Sequence, residues 1–458
     1  MEEMTGIQEN KMGVMPINKL LVSMSVPMMV SMLISALYNI VDSIFVSRIC
    51  EDALTAVSMA FPLQCLMMGL GIGTGVGVNA LLSRALGARK FDDVNKVAMN
   101  GVFLAAVCYV VFLFVGLFAV KPFFASQTDD PEILEYGIQY MTIVCTCSFG
   151  LYFQFIFERL LISTGRTVLS MITQSTGAII NIIFDPICIF GLFGVPQMGV
   201  AGAAVATVAG QIVAALMALL FNFKKNEEVT LSIKGFKPDL YVIKEIYKIG
   251  LPSIVMQAVG SVMNYIINKI LIGFTSTAVA VFGVYYKMQS FIFMPIFGLN
   301  NGLVPIVSYN FGAANRKRVM KSWKTALAYA ILIMTVGTLL FELIPQYMFM
   351  LFDASDSMLS IGIKAFRIIG IHFPVAGYCI ITGTMFQALG KSMYTLITSV
   401  MRQVVVLIPA AYLLSLLGNV DYVWWAFPIA EIMSAAATTF FFIKLYRGTI
   451  INIPLGKE

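Results

Sequence analysis

The chain has 458 residues, 59% of them hydrophobic and only 12% charged, with a mean hydropathy of +0.87. An average soluble domain is roughly 25% charged, so a soluble core cannot absorb this excess, and apolar runs such as 168–184 and 186–223 exceed the ~18 residues that mark a membrane-spanning helix. The net charge of +6 fits loops facing anionic lipid headgroups and argues against a nucleic-acid partner.

Apolar runs between charged or Gly/Pro-rich breaks predict twelve spans, centred near residues 34, 68, 108, 144, 180, 211, 261, 292, 334, 370, 405 and 434. Ahead of them, Glu2, Glu3, Glu9, Lys11 and Lys19 stand without an apolar core or cleavage site. Residues 1–20 therefore read as a cytoplasmic tail, not a signal peptide. Span one carries Pro27, which removes a backbone hydrogen bond and permits a kink. Farther along, Tyr38, Asn39 and Asp42 share one helical face that can offer hydrogen bonds.

A carboxylate near the bilayer centre costs on the order of 2.5–3.5 kcal/mol on insertion scales, so each needs a partner or a purpose. Besides Asp42, the candidates are Asp185 in span five and Glu431 in span twelve. Asn181 lies one turn before Asp185 on the same face, while Glu431 has no comparable polar surroundings along its own helix. Carboxylate, amide and hydroxyl oxygens are hard ligands suited to Na⁺, and partly desolvated carboxylates can carry protons instead. Residue type leaves the two ions open.

After the longest hydrophilic stretch, 224–248, the intramembrane charges change sign: Lys269, Lys287 and Arg402. Lys269 reads as a snorkelling side chain. Lys287 and Arg402 read as deeper, with a role in closing one half against the other. The seven Cys are scattered and His372 is the only histidine, which argues against disulfides or a resident metal and makes His372 a packing residue.

Sliding the chain by 225 residues superposes landmark on landmark without a gap: Pro27 on Pro252, Asn39 on Asn264, Gly77 on Gly302, Ser83 on Ser308, Gly137 on Gly362, Gly165 on Gly390. Six spans repeated in tandem keep one orientation. The predicted fold is thus an all-α polytopic membrane protein with two six-helix bundles related by a pseudo-two-fold axis along the membrane normal. Its parts are the tail 1–20, an N-terminal lobe 21–223, a cytoplasmic linker 224–248, a C-terminal lobe 249–446 and a cytoplasmic tail 447–458. With both termini inside, most of the 30 Lys and Arg fall on the cytoplasmic side, as the positive-inside rule demands. Opposite Asp42 and Asp185 the repeat holds Ile267 and Ala410, so the acid chemistry belongs to the first half.

Taken together, Pro27 with Tyr38 and Asp42, the loop Ser83-Arg84-Ala85-Leu86-Gly87-Ala88 with its repeat Ser308-Tyr309-Asn310-Phe311-Gly312-Ala313, Asn181-x-x-x-Asp185-Pro186 and Gly202-Ala203-Ala204-Val205-Ala206-Thr207 resemble the multidrug and toxic compound extrusion (MATE) family over nearly the whole chain. The pattern is most similar to its DinF-like, MepA-like branch. That resemblance implies Asp42 as the coupling acid, with Asn181, Asp185 and Thr207 as ion-site partners for H⁺ or Na⁺. It also implies Tyr38, Tyr140 and Gln154 as cavity residues. The sequence departs from the NorM-like branch, which has acids in spans seven and ten. Here span seven offers Gln257, and span ten has no Asp or Glu.

The expected activity is monomeric, cofactor-free exchange of small organic cations or amphipathic drugs for an ion, by alternating access in the cell membrane. The 29 Met and 35 Phe suit varied ligands. A lipid-linked oligosaccharide flippase is the alternative, kept open by Lys287 and Arg402. An intramembrane enzyme would need a nucleophile or metal set for which one histidine is poor material, and no Walker A pattern appears.

Overall fold

The computed structural model describes residues 10–352 and 354–456; the first nine residues of the expected N-terminal tail and the last two of the C-terminal tail lie outside it. Every regular element among the described residues is helical. The first half comprises α1 (Lys11–Val14), α2 (Ile17–Ser47), α3 (Glu51–Gly87), α4 (Phe91–Phe114), α5 (Val120–Ala125), α6 (Pro131–Thr146), α7 (Phe149–Ser163), α8 (Thr167–Phe190) and α9 (Val200–Lys225). The second comprises α10 (Leu240–Ile272), α11 (Ser276–Gly312), α12 (Arg316–Leu343), α13 (Pro345–Met350), α14 (Asp356–Gly370), α15 (Phe373–Ala388), α16 (Ser392–Val400), α17 (Ile408–Ser415), α18 (Val420–Val423) and α19 (Ala426–Gly448). Two π-helical stretches, Val115–Ala119 and Met401–Leu407, join α4 to α5 and α16 to α17.

Ten helices or joined helices are long and apolar enough to cross a membrane, and two bent pairs, α6 with α7 at 44° and α14 with α15 at 47°, bring the number to twelve. The starts of α3, α4, α5, α6 and α8 return 225 residues later as those of α11, α12, α13, α14 and α16. Local chemistry sets these starts. Cys50 and Thr275 cap α3 and α11 by accepting from the amides of Ala53 and Ala278, and Asp130 and Ser355 cap α6 and α14, each satisfying amides that have no partner within the helix. Packing repeats as well. A Cβ on Gly137 would lie 2.3 Å from the Phe124 ring and one on Gly362 2.3 Å from the Phe349 ring, so each ring needs a bare backbone beneath it. Ser83 Oγ donates to the Ser163 carbonyl at 2.9 Å, and Ser308 Oγ to that of Ala388 at 3.0 Å.

Burial is arranged as a bilayer requires. Large apolar side chains such as Phe118, Leu332 and Phe440 are exposed, whereas Asn79, Asn181, Asp185, Asn310, Thr382 and Glu431 are buried. In water so much exposed apolar surface would drive association; in lipid it is the solvent-matched face.

Contacts divide the chain into two compact units, one built around Val30–Ile254, the other from Lys11–Met29 and the chain from Val255 onward. α2 and α10 run unbroken through Pro27 and Pro252, and the divisions fall just beyond these prolines. Sequence reasoning had put all of span one in the first bundle; the part of α2 up to Met29 packs instead with the second unit. Within the 224–248 linker, α9 extends to Lys225 and α10 begins at Leu240, leaving 226–239 as the connecting segment.

Candidate functional site

In the first unit, a close approach of two helices carries the polar cluster. A Cβ on Gly202 would stand 2.5 Å from the Cys188 backbone, and one on Gly210 2.5 Å from the Gly177 carbonyl oxygen. Only bare backbone lets α8 and α9 meet so closely, the small-residue packing of membrane helices. Thr207, between those glycines, is thereby brought against Asn181. The Asn181 amide is oriented by its partners: its nitrogen donates to Asp185 Oδ2 at 3.3 Å, and its oxygen accepts from Thr207 Oγ and the Thr207 amide, both at 3.2 Å. Asp185 is fully buried and Asn181 is 3% exposed. Pro186, next along α8, has no amide hydrogen to give to the helix.

Asp42, on α2, reaches the same place. Its carboxyl is close enough to Asp185 to share a hydrogen bond, while its Oδ1 is buried and has no partner among the described residues. Tyr38 and Tyr140 lie within electrostatic range of both acids. Tyr140, on α6, is nearly buried and accepts from Gln64 Nε2 on α3 at 3.0 Å. Asn39 is exposed, its side-chain nitrogen turned back to the Ser35 carbonyl at 2.7 Å. The structure thus brings Tyr38, Asp42, Tyr140, Asn181, Asp185 and Thr207 together. Chemically, two touching carboxylates repel each other when both are ionised and desolvated, so the pair calls for one positive charge, a proton or a small cation. Among the described residues no group of three or more His, Cys, Asp or Glu side chains forms a metal-type cage.

Gln154 is placed elsewhere. It donates to Glu158 Oε1 at 2.9 Å, and Thr173 Oγ and Gln174 Nε2 add bonds of 3.1 and 2.8 Å to the same carboxylate. Glu158 is 2% exposed. Sequence reasoning missed both Gln64 and Glu158. An acid in the aromatic run Phe153-Gln154-Phe155-Ile156-Phe157-Glu158 was the available signal, hidden because that run falls beyond the centre assigned to span four.

In the second unit, Glu431 is not without polar company as its own helix suggested. Arg402 donates to its Oε2 at 3.2 Å. Tyr285, His372 and Cys379 lie within electrostatic range of this pair. His372 stands at the break between α14 and α15, its Nδ1 2.5 Å from the Ile369 carbonyl oxygen, which also accepts from the His372 amide at 3.2 Å. Lys287 is exposed, with its ammonium 5.6 Å from the Phe352 ring centre. Lys269 likewise lies 5.7 Å from the Tyr265 ring near the end of α10. Gln257 is exposed on α10.

Comparison with known proteins bears on this arrangement. A family model described as MatE matches residues 27–187 and again 252–413, in step with the internal repeat. The multidrug export protein MepA of Staphylococcus saprophyticus is 27% identical over 420 residues, covering 90% of each chain, and MepA of Staphylococcus aureus is 27% identical over 424 residues, covering 92% of each. Among solved structures, an outward-facing multidrug resistance MATE family transporter of the MOP superfamily superposes with a TM-score of 0.89 at 25% identity, over 96% of this chain and 98% of that one. A MOP superfamily transporter from Pyrococcus furiosus, described as having a binding pocket of reversed polarity, gives 0.88 at 26% identity over the same shares. With both halves matched by the family model and the fold shared nearly end to end, the chain belongs to the MATE family of multi-pass membrane transporters.

Proposed function

We propose that the chain exports organic, cationic, drug-like molecules in exchange for H⁺ or Na⁺, by alternating access of its two lobes in the cell membrane with both termini cytoplasmic. The observation that carries this reading is the Asp42 and Asp185 pair, with one buried oxygen of Asp42 unpartnered. A pair that needs one positive charge can take it from a substrate cation or from the coupling ion, and competition for that charge is the essence of exchange. Asn181 and Thr207 would complete a Na⁺ shell or steady a shared proton; Tyr38 and Tyr140 would face the substrate. The names of the relatives, multidrug export proteins, support drug-like cargo. Glu431 occupies Arg402 in the second unit, which disfavours a site built for a pyrophosphate and with it the flippase reading.

Efflux of ethidium from proteoliposomes under separately imposed proton and sodium gradients tests the proposal. Wild type should respond to one gradient, and Asp42→Asn and Asp185→Asn should each lose that response by at least ~10-fold, the effect of removing a charge-assisted interaction. Gradient-driven efflux undiminished in both variants would end the coupling scheme.

A further inference from the structure

The basic start of α12 departs from what a helix start favours. Five of its first nine residues are Lys or Arg, and its only acid, Glu342, stands at the far end, although cations at the positive end of the helix dipole are unfavourable. Its counterpart α4 begins in the ordinary way, with Asp92 and Asp93 in the first turn. Two of the five cations serve the inside of the second unit. Arg318 is buried and donates to Asn310 Oδ1 and to the Met12 and Met15 carbonyls, and Arg316 donates to the Ile451 carbonyl at 2.6 Å. The first amides are taken as well, that of Arg316 by the Pro454 carbonyl at 3.0 Å and that of Lys317 by the Leu455 carbonyl at 3.1 Å. The helix end is thus already occupied, and the charged side chains on its outer surface remain.

Those side chains share one face. Lys317, Lys321 and Lys324 are exposed, and spacings of four and three residues stack them along one side of the helix. The same side continues through Leu332, Val336, Leu339 and Leu343, each at least half exposed, while Val319, Ala326, Ala330 and Met334 turn inward. From Leu343 to Lys324 the helix rises about 28 Å at ~1.5 Å per residue, which matches the ~30 Å hydrocarbon core of a bilayer. The face therefore lies against lipid chains up to the head-group level, where the lysines begin. The first half does not repeat it. Asp92, Lys96 and Met99 hold the equivalent positions, and Met99 is buried. There the connecting segment covers α4, with the Thr230 amide donating to Asn95 Oδ1 at 2.7 Å and Phe236 packing on Phe103 at 6.2 Å between ring centres.

We propose that this face of α12 binds an anionic phospholipid of the adjoining leaflet, its phosphate held between Lys317 and Lys324 and its acyl chains lying along Leu332, Val336 and Leu339. Charge complementarity selects the head group, because a zwitterionic lipid brings an ammonium that the lysines repel, whereas an anionic one brings only the phosphate charge. Lysine suits the place: its apolar stem lies along the hydrocarbon boundary while its ammonium reaches the phosphate as a point charge. The bound anion also offsets the cations at the start of the helix. The site goes beyond the export reading and does not depend on it, since it requires only that α12 cross the membrane.

Titration of the purified full-length protein in neutral detergent with dioleoyl phosphatidylglycerol or dioleoyl phosphatidylcholine, read by native mass spectrometry, tests it. Wild type should bind the anionic lipid at least ~10-fold more tightly, since each lysine near an anionic surface contributes about 5-fold. In Lys317→Gln with Lys324→Gln the preference should fall below ~3-fold. Lys90→Gln with Lys96→Gln removes the same charge from the corresponding turn of the first half and should leave the preference near that of wild type. All four substitutions fall on exposed side chains, where stability changes little. Equal binding of the two lipids by wild type, a preference that survives in the α12 variant, or equal loss in both variants would overturn the assignment. So would displacement of the lipid by an equal concentration of inorganic phosphate, which would mark a site for a soluble anion.

Discussion

The seam between α8 and α9 allows a prediction with a length attached. Gly210→Ala places a methyl carbon 2.5 Å from the Gly177 carbonyl oxygen, a backbone atom that cannot swing aside. Ordinary contact begins near 3.4 Å, so the helices must part by about 0.9 Å (3.4 − 2.5), and overpacking of this kind costs about 1–3 kcal/mol. Thr207, one turn from Gly210, holds Asn181 at 3.2 Å. A separation that large stretches the bond to about 4 Å, beyond hydrogen-bonding range, and Asn181 would no longer be held toward Asp185. Gly177→Ala meets its nearest atoms at 3.0 Å and demands only about 0.4 Å. The expected order of gradient-driven ethidium efflux is wild type, then Gly177→Ala, then Gly210→Ala, with the last reduced by ~10-fold or more and its thermal midpoint lowered. Should Gly210→Ala match wild type in both efflux and melting, close approach of α8 and α9 would not be what positions the acid pair.

Removing the Glu158 carboxylate with Glu158→Ala strands the donors of Gln154 and Gln174, while the Thr173 hydroxyl keeps the Ser170 carbonyl at 2.8 Å; it should cost about 1–3 kcal/mol per donor left dry, whereas Glu158→Gln should retain most of the stability, both read as melting of the reconstituted protein. Gly137→Ala and Gly362→Ala each drive a methyl into a phenyl ring at 2.3 Å, so their melting points should fall by similar amounts, and a large difference would contradict equivalence of the two halves at this site. Arg402→Met leaves Glu431 buried and unpaired, worth about 3 kcal/mol at the low end for a broken buried pair because Arg402 retains partial access; adding Glu431→Leu should recover most of it, and a double variant less stable than the single would show that the pair contributes net stability.

Much of this architecture was legible because it is written in one dimension. Spans follow from apolar runs, and the helix starts follow from a repeat whose caps, glycines and hydroxyls recur at one offset, as Cys50 with Thr275 and Ser83 with Ser308 show. The Asn181 and Asp185 face was visible for the same reason, four residues being one helical turn. What stayed hidden are relations across helices. No periodicity says that Arg402 meets Glu431, that Gln154 serves Glu158 and not Asp42, or that the first part of α2 packs with the second unit.

The repeat nonetheless helps where pattern reading fails, because departures from it can be located. Asp185 faces Ala410 across the 225-residue offset, and Arg402 faces Gly177. In each half one odd charge, Asp185 or Arg402, falls on the fifth span, and contacts of that span reach into the sixth: Asn181 with Thr207, Arg402 with Glu431. Duplication supplied the same seam twice. One copy kept its glycines, so its helices stay close enough to hold an amide and a hydroxyl around an acid; the other gave them up for an ion pair and a widened turn. The loss of symmetry in charge is thus also a loss of symmetry in packing: glycines and a short hydroxyl side chain surround the acid in the first half, and a paired Arg and Glu fill the same place in the second.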